Sequence, residues 1–248
     1  MAARIEQVLA DYSVFIAESG TGTGKTFAYL VPALLSGKKI LVSTGTRHLQ
    51  DQLFHRDLPF IREALAVPVT TALLKGRTNY LCRHHLERAE MESRFAGKRD
   101  QTKLTRLREW AGRTQRGDIA EVKDISEDSE LWPHVTSTAD NCLGSDCAHY
   151  DECFVNRARR EALAADVVIV NHHLFFADLA LREEGFGQLL PGVEAVIFDE
   201  AHQLPEVASN FFSLSLSSHQ AVSLCRDTIA EDIKEHSGVG GLPVAVQH

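Results

Sequence analysis

Several features that would assign a class of protein are missing from this sequence. No apolar run is long enough to cross a membrane as a helix, and the N-terminus lacks the charged and apolar regions of a secretory signal peptide. The net charge of -8 argues against a protein that coats nucleic acid with its whole surface. These absences predict a cytoplasmic protein that has no membrane partner.

Cysteine is scarce, with five residues in a chain of 248, and a reducing location makes disulfides an unfavourable interpretation. Cys142, Cys147 and Cys153 have four and then five residues between them, which is close enough for one site, and Cys82 can join them through folding. Four thiolates can hold zinc or an iron-sulfur cluster. Zinc sites favour two close pairs, and only Cys142 and Cys147 form one, so the spacing favours a cluster. Four unrelated buried cysteines are the alternative, and Cys225 is interpreted as a core residue.

Charge is unevenly distributed along the chain. Residues 75–116 contain 12 Lys and Arg against 5 Asp and Glu, whereas residues 117–152 contain 1 against 10. The first segment predicts a basic patch for phosphate groups, and a solvated helical face is the alternative.

A glycine-rich stretch near the N-terminus has the pattern of a phosphate-binding loop. It consists of Ser19, Gly20, Thr21, Gly22, Thr23, Gly24, Lys25 and Thr26. In such loops the backbone N–H groups surround a polyphosphate, the lysine contacts the β- and γ-phosphates, and the hydroxyl after it binds Mg²⁺. A β-prone run at residues 13–16 precedes the loop and a helical apolar pattern follows it, so we expect a strand, a turn and a helix. A glycine-rich turn that binds nothing is the alternative.

An acidic pair far downstream complements this loop. Asp199 and Glu200 follow the apolar run 193–198, which predicts a buried strand. Ligand chemistry in open α/β sheets lies at the carboxyl ends of the strands. We therefore predict that Asp199 holds Mg²⁺ and that Glu200 polarises the water that attacks ATP, with Lys25 as the third catalytic residue.

The remaining pattern predicts an α/β fold with a parallel sheet that is interrupted by an insertion. Further strands are expected at 39–44, 69–74 and 167–170, with a helix from near Arg47. The polar segment between the runs 69–74 and 167–170 contains four of the five cysteines. A helical pattern spans residues 220–235.

The order of these motifs resembles that of the iron-sulfur helicases related to XPD, most closely the bacterial DinG and YoaA type. The resemblance is carried by residues 19–26, 44–47, 75–82, 170–173 and 199–202 together with the three later cysteines. It implies a RecA-like phosphate-loop domain with a mostly helical iron-sulfur domain inserted. It also implies a 4Fe-4S cluster on Cys82, Cys142, Cys147 and Cys153, and 5′→3′ movement on single-stranded DNA or DNA junctions, with Thr44, Thr46, Arg47 and Asn171 near the strand.

The resemblance divides the chain into four segments. These are lobe 1, first part (1–74), the iron-sulfur domain (75–162), lobe 1, second part with the DEAH motif (163–204), and the approach to an arch-type helical insertion (205–248). Such helicases hydrolyse ATP between two lobes, so we expect the chain to be the N-terminal fragment of an ATP-dependent DNA helicase in repair or damage response, inactive alone. The alternative is a DNA-binding module with a redox-sensing or structural cluster and a regulatory nucleotide site.

Overall fold

The computed structural model describes residues 1–20, 22–91, 97–183, 185, 189–213, 222, 225 and 228. The chain divides into two units, Met1–Ala208 and Ser209–His248. The first unit contains the sheet, the glycine-rich loop, the acidic pair and Cys82, Cys142, Cys147 and Cys153. Most of the helix predicted over residues 220–235 lies outside the described residues, although residues 222, 225 and 228 are helical. Cys225 is half-buried.

The first unit is built on a four-stranded parallel sheet with the order β2-β3-β1-β4. The strands are β1 (Ile40–Thr44), β2 (Thr71–Leu73), β3 (Val167–Asn171) and β4 (Ala195–Phe198). Every residue of β1 is buried, as is all of β3 except Asn171. Apolar, β-branched runs of this kind are typical of parallel strands that are covered on both faces. The predicted α/β class and the strands at 39–44, 69–74, 167–170 and 193–198 are confirmed.

Helices cover both faces of the sheet. They are α1 (Ala2–Asp11), α2 (Lys25–Leu35), α3 (Arg47–Gln52), α4 (Leu58–Leu65), α5 (Arg83–Met91), α6 (Lys98–Ala111), α7 (Trp132–Val135), α8 (Phe154–Ala164), α9 (His172–Glu183) and α10 (Leu204–Phe212). A π-helical turn, Leu53–Asp57, joins α3 to α4. No helix of the described residues is long and apolar enough to cross a membrane.

Alternate residues of the central strands supply two hydrophobic cores. Ile40 and Val42 of β1 pack with α1, α2 and α4, whereas Leu41 packs with the helices α5 to α8. This division follows from the two-residue period of a strand, which points successive side chains to opposite faces. One face of the sheet therefore carries the helices around the glycine-rich loop. The other face carries the cysteine-containing segment, residues 74–166, which connects β2 to β3.

The chain leaves the sheet after β2, forms the cysteine-containing segment, and re-enters the sheet at β3, which lies beside β2. Hydrogen bonds between the residues that precede these strands close the junction. The Thr70 N–H and hydroxyl donate to Asp166 Oδ2 at 2.8 and 2.6 Å, and the Asp166 N–H donates to Thr70 Oγ1 at 3.0 Å. The helical segment thus begins and ends at one fixed point on the sheet.

The strand predicted at residues 13–16 is wrong. Tyr12 ends α1 in the left-handed conformation (φ 50°), and the chain then runs without strand pairing to the glycine-rich loop. Val14 and Ile16 are each 90% exposed. A β-prone run becomes a strand only where a neighbouring strand and a packed face are available, and here it has neither.

Asp166→Ala should lower the free energy of unfolding of this chain by about 1 kcal/mol at neutral pH, because the Thr70 donors lose their acceptor. The Thr70 side chain and backbone hydrogen bonds lower the pKa of Asp166 below its ordinary value. This contribution is therefore present above the unfolded pKa of about 3.9 and is lost as the pH falls through the lower folded pKa. Urea unfolding at pH 7 and near pH 3 measures both effects.

The exposed carboxylate Asp128 supplies the control for that measurement. Asp128→Ala should change the unfolding free energy little at either pH. Equal behaviour of the two variants would contradict the role assigned to Asp166.

Candidate functional site

The glycine-rich loop leads directly into the N-terminus of α2. Gly22 and Gly24 have φ of 72° and 80°, a conformation that side chains other than glycine rarely adopt. Lys25 and Thr26 form the first turn of α2, where free backbone N–H groups favour an anion. The Thr23 hydroxyl donates to the Gly20 carbonyl at 2.8 Å. Thr21, the remaining residue of the predicted loop, lies outside the described residues.

The acidic pair follows β4 and faces the loop. The Asp199 N–H donates to the Ser43 carbonyl at 2.8 Å, which extends the pairing of β4 with β1 to the strand end. Lys25 Nζ lies 3.6 Å from Glu200 Oε1. The structure therefore brings together the predicted phosphate-binding cation and the predicted water-activating carboxylate, although they lie far apart in the sequence.

Burial shapes the titration of the groups around Asp199. Burial raises the pKa of Asp199, and the neighbouring Glu200 carboxylate raises it further. The buried Tyr29 hydroxyl of α2 lies beside Asp199 and Thr26 without reaching hydrogen-bond geometry to any described group. Burial and the Asp199 charge raise the pKa of Tyr29, so the phenol stays neutral. A cation bound here would relieve the repulsion between the two carboxylates.

Glu200 occupies the left-handed region of the backbone, with φ of 56° and ψ of 43°. This conformation costs a residue other than glycine about 1 kcal/mol or more, and such residues cluster at functional sites. His202 Nδ1 lies 3.4 Å from the other carboxylate oxygen of Glu200. The turn thus aims the Glu200 side chain away from the strand direction and towards Lys25.

The four residues predicted near DNA lie at the same edge of the sheet. Thr44 ends β1 and is paired in register with Asn171, which ends β3. Thr46 accepts a hydrogen bond from the Leu49 N–H at 3.2 Å and caps α3, whose first residue is Arg47. Thr46 and Arg47 are exposed, whereas Thr44 is buried and Asn171 is half-buried. Thr46 and Arg47 are therefore the two of these residues whose side chains are most accessible to a DNA strand at the surface.

Two buried polar groups beneath this edge were missed by sequence reasoning. The Gln50 amide of α3 donates to the carbonyls of Leu74 and Ile169 at 2.9 and 3.4 Å. The ring of His172 is completely buried, and its Nδ1 lies 2.7 Å from Ser43 Oγ. Burial lowers the pKa of His172, so the ring is neutral at neutral pH. Both groups fix strand ends from inside, and nothing in their local sequence separates them from surface residues.

The four predicted cluster ligands line one cavity. Cys82, Cys142, Cys147 and Cys153 are half-buried, free of disulfides, and surround a space of about 210 Å³. Within the described ranges, no group of three or more His, Cys, Asp or Glu side chains is close enough to hold a single metal ion. The thiols therefore surround a common space without converging on one point.

Positive groups accompany these sulfurs. Arg77 Nη1 lies 2.9 Å from Cys142 Sγ, and Arg159 also lines the cavity. Cys153 is the N-cap of α8, and the Cys82 carbonyl accepts from the Leu86 N–H in the first turn of α5. Burial raises the pKa of Cys82. Hydrogen bonds from the backbone N–H groups of His85 and His84 oppose this upward shift of the Cys82 pKa only in part.

A buried ion cluster joins α3 to the cysteine-containing segment. Lys75 is 3% exposed, and its Nζ lies 2.6 Å from Asp51 Oδ1 and 2.7 Å from Asp118 Oδ2. The Lys75 N–H also donates to the Tyr80 hydroxyl at 3.0 Å. Sequence reasoning counted Lys75 in the basic patch and missed this role, because its partners lie far from it in the sequence.

Several cations of the basic segment at 75–116 are paired with carboxylates of the chain. Arg83 lies 3.5 Å from Glu152, and Arg106 lies 3.8 Å from Asp124. Arg108 pairs with Glu90. The acidic segment at 117–152 thus folds back on the basic one, which reduces the positive surface that remains for phosphate groups.

Comparison with known proteins adds to this geometry. A family model described as DEAD/DEAH box helicase matches residues 2–93. ATP-dependent DNA helicase YoaA of Haemophilus influenzae is 51% identical over 227 residues, which cover 92% of this chain and 36% of that protein. ATP-dependent helicase DinG of Mycobacterium tuberculosis is 36% identical over 240 residues, which cover 88% of this chain and 35% of that protein. The chain therefore spans about a third of the length of these relatives.

Among solved structures, a truncated XPD aligns with 91% of this chain and 58% of that chain. The TM-score is 0.46 and the sequence identity 16%, a likeness too distant to bear on function.

Lys75→Met should lower the free energy of unfolding of this chain by about 3 kcal/mol, because it leaves two carboxylates without their buried cation. Urea denaturation followed by circular dichroism measures the loss. Lys123→Met, which removes an exposed lysine, is the matched control. A loss no larger than that of the control would show that the buried ion cluster does not hold α3 to the helical segment.

Proposed function

The chain belongs to the YoaA and DinG group of DEAD/DEAH box helicases, and we propose that it forms the nucleotide-binding part of an ATP-dependent 5′→3′ DNA helicase that carries an iron-sulfur cluster. The parallel sheet is the RecA-like domain of that family. The proposed substrates are ATP and single-stranded DNA or DNA junctions, and the proposed setting is DNA repair or the damage response in the cytoplasm. The observation that carries the proposal is the approach of Lys25 to Glu200 across the strand ends.

ATP binding and hydrolysis are assigned to the residues at this edge. The loop N–H groups and Lys25 would hold the β- and γ-phosphates, as the positive φ of Gly22 and Gly24 permits. Thr26 and Asp199 would hold Mg²⁺, which supplies positive charge against the phosphate oxygens. Glu200 would accept a proton from the attacking water, because it is adjacent to Lys25 and therefore to the terminal phosphate.

A 4Fe-4S cluster is proposed for the cavity between the cysteines. Four free thiols around one space, with Arg77 and Arg159 beside them, fit a thiolate-bound cluster with net negative charge. Cys82, Cys142, Cys147 and Cys153 would be its ligands, and the cluster would supply cross-links between the helices and a centre that accepts or donates one electron. The proposed domain division is 1–74 and 163–204 for the RecA-like lobe and 75–162 for the cluster domain, with 205–248 approaching the arch-type insertion.

DNA contact is proposed for the exposed rim formed by Thr46 and Arg47 at the start of α3. Hydroxyl, guanidinium and helix N-terminal N–H groups are the donors that phosphate oxygens accept. Thr44 and Asn171 lie at the neighbouring strand ends and would support this rim. The pairing of Arg83, Arg106 and Arg108 with carboxylates reduces the charge that the basic segment offers, which favours this rim as a phosphate contact.

The alternative function is a DNA-binding module with a regulatory nucleotide site. Glu200 discriminates between the two, since a site that only senses nucleotide has no need of a strained carboxylate aimed at the phosphate-binding lysine. DNA-stimulated ATP turnover by the complete protein supports the helicase, and tight ATP binding without turnover supports the module.

Glu200→Gln in the complete protein should keep ATP binding and lower DNA-stimulated kcat on the order of 100-fold or more, because the amide cannot take the proton of water. Steady-state ATPase and nucleotide binding measure the two effects. Glu206→Gln, an exposed carboxylate on α10, is the control and should keep full turnover. Near-normal turnover by Glu200→Gln would refute the catalytic assignment.

Anaerobically purified protein should be yellow-brown and contain roughly four irons and four sulfides per chain, as a Cys₄-bound 4Fe-4S centre requires. Cys142→Ser should remove the colour, because it removes one ligand. Cys225→Ser, outside the cavity, should keep it. Stoichiometric zinc without iron would exclude the cluster and favour the zinc interpretation.

A further inference from the structure

The loop between β1 and α3 packs against the turn that carries the acidic pair. Gly45 lies in this loop, and Gln203 lies three residues after Glu200 in a 3₁₀ turn, Ala201–Gln203. A Cβ atom placed on Gly45 would lie 2.7 Å from Gln203 Cδ and 2.8 Å from Gln203 Nε2. Real Cβ atoms essentially never approach other atoms so closely, so the Gln203 carboxamide occupies the space that a side chain at position 45 would take.

The Gln203 carboxamide is the end of a flexible side chain, so it would have to move if residue 45 carried a Cβ atom. Gly45 does not adopt a positive φ, so its backbone conformation is open to other residues. The same loop presents Thr46 and Arg47, the two exposed residues of the proposed DNA rim. A ligand that moves this rim therefore moves the surface on which the Gln203 side chain rests.

Gln203 is in turn connected to Glu200 through the backbone. The Gln203 N–H donates to the Glu200 carbonyl at 3.0 Å, and the Asp199 N–H donates to Ser43 at 2.8 Å. Glu200 thus lies between two contacts of its turn with the end of β1, which are the hydrogen bond of Asp199 to Ser43 and the close approach of the Gln203 side chain to Gly45. Its left-handed backbone is held by these flanking contacts.

We propose that Gln203 is a positioning residue that couples DNA contact at the Thr46 and Arg47 rim to the orientation of the Glu200 carboxylate. Displacement of the loop at Gly45 moves the Gln203 carboxamide, and the 3₁₀ turn transmits this movement to Glu200. The inference rests on the proposed function and adds a route by which DNA stimulates ATP hydrolysis. Gln203 does not touch the reacting atoms, so its loss affects stimulation by DNA more than the basal rate.

The test measures ATPase rates of the complete protein with and without a saturating single-stranded oligonucleotide. Gln203→Ala should lower the ratio of stimulated to basal kcat about fivefold or more, with the oligonucleotide Kd changed by less than about twofold. Gln7→Ala, an exposed glutamine on α1, is the control and should keep the wild-type ratio. Saturating DNA removes any contribution of affinity from the comparison.

Substitutions at Gly45 separate the contact from general damage. Gly45→Ala should displace the Gln203 carboxamide and lower the stimulation ratio with little change in the thermal unfolding midpoint, because the end of a flexible side chain can move. Gly45→Ala combined with Gln203→Ala should lower the ratio no further than Gln203→Ala alone, because both substitutions act on the same contact. Gln203→Met fills the same space without the carboxamide. Its ratio of stimulated to basal kcat should therefore lie between that of Gln203→Ala and that of the wild type.

The outcomes are distinct. Wild-type protein without DNA stimulation would contradict the proposed function itself. Wild-type stimulation that Gln203→Ala retains would overturn the coupling and leave the helicase proposal intact. A parallel fall of basal and stimulated rates in Gln203→Ala would also overturn it, because the residue would then serve the site as a whole.

Discussion

The buried ammonium group of Lys75 constrains how the cysteine-containing segment packs against α3. Its partners come from α3, which follows the proposed DNA rim, and from Asp118, which lies in the cysteine-containing segment. A buried charge without a partner costs several kcal/mol, so arrangements that separate these groups are strongly disfavoured. The position of the helical segment relative to α3 is therefore fixed by charge as well as by the hydrophobic core.

The chemistry of the site follows from the parallel sheet. Parallel strands end at the same edge, so Thr44, Asn171 and Asp199 lie together although the chain visits them in turn. The glycine-rich loop adds the start of α2 to that edge. The proposed nucleotide-binding residues and the proposed DNA rim thus share one surface, which is the arrangement that the proposed coupling through Gly45 and Gln203 requires.

Much of this arrangement could be predicted from the sequence, because glycine-rich loops and buried parallel strands are determined by neighbouring residues. The conformation of residues 13–16 was predicted wrongly, since strand formation depends on a partner strand that the local sequence does not reveal. Lys75 was predicted to be a surface charge because composition cannot show that Asp51 and Asp118 approach it. Gln203 carries no local signal at all, and its contact becomes visible only once Gly45 is placed beside it. The cysteine spacing predicted a shared site, and the structure brings the four thiols to one cavity.

The pairing of β1 with β3 has a consequence for how the chain acquires its fold. Ile40 pairs with Val167, and the whole cysteine-containing segment lies between them in the sequence. Closing so long a loop costs entropy before any strand pairing compensates for it, and sheets built from distant segments form slowly. During synthesis β1 emerges well before its partners, whereas the contacts between α5 and α6 are local and can form early. Collapse of these helices would shorten the loop, so the segment that interrupts the sheet in the sequence also brings β2 and β3 within reach of each other.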